Sequence, residues 1–136
     1  MYEPIRTKSV HAMADPGDFP HRSREEELDI QLAGHLAALL AVTDELRALS
    51  PDAGLDSAAE QLSAQVARLR GGPAPVRASV ATAIHEPHLS ALHQRAHALA
   101  GRALVVAASR ADTGAAILAA RRMEAHAAAT SLATAA

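Results

Sequence analysis

Leucines set the rhythm of this chain. Leu28, Leu32, Leu36, Leu39 and Leu46 return at three- and four-residue steps or their sum, with Leu40 beside them. That spacing marks one face of an amphipathic helix. Ser23 followed three residues on by Glu26 has the form of a capping box, and Glu25, Glu26 and Glu27 suit the positive end of a helix dipole. Ser50-Pro51-Asp52 is a turn that a helix does not cross. A first helix is expected over about 23–49.

A second apolar set, Leu55, Ala59, Leu62, Val66 and Leu69, steps four, three, four, three. This is the a/d seam of packed helices. Gly71-Gly72-Pro73 closes it, so the helix is expected over about 55–70, capped by Asp52 or Asp56. Val76, Val80, Ala83 and Ile84 share a face and predict a short helical segment over 75–85. Pro87 is costly inside a helix but cheap in a first turn, so a new helix is expected from 87 to about 110. It carries its own seam: Leu89, Leu92, Ala96, Leu99, Ala103 and Val106. A last helix, capped by Asp112 or Thr113, runs over about 112–132. Its only large apolar residues are Ile117, Leu118, Met123 and Leu132. Residues 1–22 hold three prolines and the turn DPGD, and read as an irregular arm, either docked on the bundle through Tyr2, Ile5, Val10, Met13 and Phe19 or left as a loose tail. Short connections favour antiparallel neighbours. The expected fold is all-α: an antiparallel, up-down four-helix bundle forming one domain over 23–136, with the extra short segment before Pro87 and the arm in front.

Composition sharpens this picture. Alanine is about a quarter of the 136 residues, there is no Trp, and the only Tyr and Phe lie in the arm. Ala and Leu favour helix, whereas strands need β-branched and aromatic side chains. The core is correspondingly thin. A buried Leu contributes about 1.5–3 kcal/mol and an Ala methyl much less. Helices must therefore approach closely through alanine faces, or a second copy must add buried surface, and a homodimer is expected.

Charge and motifs narrow the function. Net charge is −2, too small for a strong attraction to nucleic acid or anionic lipid. Arg68, Arg70 and Arg77 gather around the turn after the second helix, but that turn is too long and proline-rich for a helix-turn-helix, and arginines suit a helix C-terminus. No nucleic-acid partner is expected. The longest apolar run, ALVVAA over 103–108, is too short to span a bilayer, and the first twenty residues hold no apolar leader stretch, so a cytoplasmic protein without a membrane role is expected. Cysteine is absent, which removes disulfides, thiolate ligands and thiol nucleophiles. No phosphate-binding glycine loop, no GxSxG elbow and no opposed carboxylates occur, so no catalytic residue and no cofactor is assigned.

The remaining candidate chemistry is histidine. Four of the eight histidines, His85, His88, His93 and His97, lie in the stretch IHEPHLSALHQRAH. With Leu92 at zero on a helical wheel, His88 falls about 40° to one side, inside the apolar face, while His93 and His97 fall about 100° and 140° to the other and lean outward. His93 and His97 have the HxxxH spacing that chelates metals, but a zinc site takes three or four protein ligands. His35 on the first helix is the best further donor, with His126 and Glu86 as others. Neither Glu86 nor Glu124 has a His three residues on, so a di-iron carboxylate site is not built. Two functional readings result. One is a non-enzymatic helical module acting through a protein partner or through self-association, one helix pair presenting an alanine-rich face. The other is a metal-binding bundle that holds zinc, nickel or copper through His85, His88, His93, His97 and His35.

Overall fold

The computed structural model of the chain describes residues 22–77 and 86–135. These form four helices and, among the described residues, no strand: α1 (Arg24–Leu49), α2 (Ala53–Arg70), α3 (Glu86–Arg110) and α4 (Thr113–Ala135). The arm over 1–21 lies outside the described residues. Among those described, no helix is long and apolar enough to cross a membrane.

The helix ends follow from local chemistry. The Glu26 N–H donates to Ser23 Oγ at 3.1 Å and the Ser23 N–H donates to Glu26 Oε1 at 2.8 Å, which completes the capping box of α1. Asp52 accepts from the Gly54 N–H at 3.2 Å, so α2 starts at Ala53, two residues earlier than its apolar pattern announced. Gly71, at φ 63°, ends it in the left-handed conformation, and its N–H reaches the Ala67 carbonyl at 2.9 Å. Between α3 and α4 the same role falls to Ala111, at φ 59°, an expensive conformation for a residue with a Cβ. The Asp112 N–H closes that turn on the Ala107 carbonyl at 2.9 Å, and Asp112 Oδ1 caps α4 through the Ala115 N–H at 3.2 Å.

The short helix expected over 75–85 needs correction in its described part. Pro75, Val76 and Arg77 are not helical, and Val76 is 99% exposed instead of facing the core. Two prolines in three residues remove N–H donors and drive the residues before them to extended backbone. Arg77 instead ties the connection to α1, its guanidinium forking onto Asp44 at 2.7 and 2.9 Å. Residues 78–85 lie outside the described residues. α3 begins at Glu86, which leaves Pro87 in the first turn.

The core is the leucine stripe of α1 sealed by the other helices. Leu32, Leu36, Leu39 and Leu46 are completely buried, together with Leu62 and Val66 of α2. The one threonine among them, Thr43, is satisfied by its own helix, Oγ1 donating to the Leu39 carbonyl at 2.8 Å. α1 packs against α2 and α3, and α3 packs against α4. α2 meets α4 only along a narrow seam, and α1 and α4 do not pack together among the described residues. The inward faces of α3 and α4 are rich in small residues, Ala100 and Ala107 on one and Ala115 and Ala119 on the other, all fully buried, with Leu118 and Met123 as the larger side chains of α4. Ion pairs tie the ends of the helices: Arg110 to Asp29 at 3.0 Å, Arg68 to Asp112 at 2.7 Å and Arg47 to Asp56 at 2.8 Å.

Candidate functional site

The polar residues of the α3–α4 interface arise from its spacing. On α4, Ala115, Ala119, Arg122 and His126 step four, three, four, so an arginine and a histidine occupy two places of an inward seam. On α3, His93 lies seven residues before Ala100 and fourteen before Ala107, on the same stripe. The two histidines meet. His93 Nδ1 and His126 Nδ1 are 3.0 Å apart, with ring centroids 5.2 Å apart and planes tilted by 44°. Arg122 Nη2 stands 3.3 Å from His126 Nε2, and His126 is only 1% exposed.

Hydrogen-bond polarity assigns the protons. A guanidinium only donates, so His126 Nε2 accepts. A neutral His126 then carries its proton on Nδ1 and donates it to His93 Nδ1, and His93 holds its own proton on Nε2. The electrostatics agree. Burial, then the charges of Arg122, His93 and His97, push the His126 imidazole down to about 3. His93 is lowered as well, by burial and then by Arg122. Arg122 is lowered by burial, partly offset by the charge of Asp52, and its buried Nε has no hydrogen-bond partner among the described residues. The cluster is a chain of donors and acceptors, Arg122 to His126 to His93, linking two helices through neutral imidazoles.

The structure disperses the other histidines singled out above. His88 points to α1, with Nε2 3.9 Å from Glu45 Oε2. His97 is half-buried, one turn beyond His93, and lines a groove of about 280 Å³ with Gln94, Ala127 and Thr130. His35 is half-buried on α1, which does not pack against α4. His85 lies outside the described residues. His93 does not lean outward as the helical wheel placed it, because α4 covers that side of α3. Among the described residues no three His, Asp or Glu side chains converge as metal ligands. Arg122, to which the sequence assigned no role, is the residue missed, because alanine on both faces of α4 hides the seam it shares with Ala115, Ala119 and His126.

A second feature is an apolar groove of about 370 Å³ on the outer side of the α3/α4 turn. Ala108, Ala111 and Ala116 line it, and Ile117, 47% exposed, forms one wall. Comparison with known protein families, curated proteins and solved structures found no match to this chain.

Proposed function

We propose that the chain is a non-enzymatic, single-domain helical bundle that acts by docking, its α3/α4 face closing on a second copy of itself. The end-to-end ion pairs favour antiparallel packing of α1 on its neighbours but not an up-down-up-down order: Arg110 at the end of α3 meets Asp29 near the start of α1, and Arg68 at the end of α2 meets Asp112 just after α3, so α2 and α3 run the same way, both opposite to α1. The observation that carries the docking reading is Ile117. It is a large apolar side chain exposed at the wall of a depression lined by alanines. A two-fold interface needs one surface that supplies both knob and hole, and this surface has both. The scarcity of large buried side chains adds to the argument, since a second copy contributes the apolar burial the core lacks. Sedimentation of the whole chain at tens of micromolar tests it. A dimer that Ile117→Glu converts to a monomer of unchanged helicity supports the reading. A clean monomer of the unaltered chain overturns it.

The second reading is a metal-binding bundle. What favours it is the 3.0 Å separation of the His93 and His126 Nδ1 atoms, a spacing at which two imidazoles are able to share one ion. Arg122 works against it, because a metal on His126 Nδ1 forces the proton to Nε2, opposite the guanidinium. Calorimetry with zinc, nickel and copper separates the readings. Affinity that is micromolar or weaker, and unchanged by His93→Ala and His126→Ala, removes the metal reading.

A further inference from the structure

We propose that Arg122, His126 and His93 form a proton-operated latch that holds α4 on α3 at neutral pH and releases it in acid. The geometry leaves one place for one proton. The 3.0 Å gap between the two Nδ1 atoms accommodates a single N–H, and His126 Nε2 accepts from Arg122 at 3.3 Å. Protonating His93 puts a second N–H into that gap. If His126 moves its own proton to Nε2 to make room, it turns a donor toward Arg122, which has only donors. Protonating His126 creates the same conflict at once. No redistribution of protons satisfies three groups once either imidazole is charged, and the new cation stands beside a guanidinium.

The surroundings give that charge no relief. From α3, His126 faces His93 and, one turn on, His97; from its own helix it faces Arg122. All three are cationic when charged. From the cap in front of α2 the charge of Asp52 reaches Arg122, not the imidazoles. α1 does not pack on α4 among the described residues. The groove lined by Gln94, His97, Ala127 and Thr130 brings solvent next to His126 along α4 and one turn from His93 along α3.

α4 is also the element built to move. It is held to α3 by alanines, whose burial contributes little each, and to α2 by a narrow seam. Its large apolar anchors on the inner side are Leu118 and, partly buried, Met123. α1, by contrast, is fixed by four completely buried leucines. Local opening draws on the least anchored element, so the response to acid belongs to α4.

Amide hydrogen exchange of the whole chain between about pH 7.5 and 5 tests this, with α1 as the internal reference that cancels the chemical pH dependence of exchange. The expected result is that α4 amides lose protection relative to α1 by about tenfold or more as pH falls. His93→Gln keeps an acceptor for the His126 proton but cannot itself become charged, and it reduces that loss. His93→Gln combined with His126→Gln abolishes it. Equal loss from α1 and α4, no loss, or a His93→Gln profile identical to the unaltered chain overturns the proposal. Should the double variant not fold, the single variant decides alone.

Discussion

His126 is neutral where it lies, and this sets the sign of the acid response at the residue scale. Folded, it binds a proton only near pH 3, whereas the unfolded chain binds one at the ordinary 6.5. Its contribution is therefore fully present above 6.5 and is lost as pH falls from there toward 3. The slope is up to about 1.4 kcal/mol per pH unit, and His93, lowered in the same direction, adds to it. Asp44, held down chiefly by its bond from Arg77, and Asp112, held down by Arg68 against its own burial, respond only below the ordinary 3.8. Urea titrations at a series of pH values should show stability falling from 6.5 downward, with the slope between 6.5 and 4 reduced in His126→Gln. An unchanged slope contradicts the assignment. Ala111 gives a second prediction at this scale. At φ 59° its Cβ costs about 1–2 kcal/mol, and glycine returns part of that gain as chain entropy. Ala111→Gly should raise stability by about 0.5–1 kcal/mol in the same denaturation assay.

At the scale of elements, contrast decides what was legible. The seams of α1 and α2 stand out because leucine alternates with charge, and Leu32, Leu36, Leu39, Leu46, Leu55, Leu62 and Val66 are buried as the spacing predicts. The cap at Ser23 and the stop at Gly71 were equally plain, each being a named residue with one local role. α4 offers no such contrast. Alanine occupies both its inner and outer faces, so periodicity did not reveal which side carried Arg122 and His126. The meeting of His93 with His126 depends on how α3 and α4 are set against each other, a long-range fact that no single helix encodes. The smallness of the α3–α4 interface is itself testable. Ala100 is completely buried on the stripe that carries His93. Ala100→Leu should therefore destabilise the fold by about 1–3 kcal/mol through overpacking. Leu36→Ala, which empties the α1 core, should cost about 2–5 kcal/mol. If Ala100→Leu is neutral, α3 and α4 are not in close contact along that stripe.

Across the whole molecule, the thin core and the exposed groove bear on one quantity, the dependence of stability on protein concentration. A chain whose α3/α4 face closes on a second copy is stabilised by mass action, because only the folded form presents Ile117 at the wall of the alanine-lined groove. Two chains share each dimer, so a tenfold increase in concentration adds about half of 1.4 kcal/mol per chain. For a bundle of this size that raises the melting temperature by a few degrees. Ile117 is already 47% exposed, so Ile117→Glu removes little burial from the single chain. The unaltered chain should therefore melt at a temperature that climbs with concentration, and Ile117→Glu at one that does not, with the two converging at high dilution. A concentration-independent melting temperature for the unaltered chain rules out the second copy. Curves that stay apart even when dilute show instead that Ile117 stabilises the single chain, so the groove belongs to its own fold.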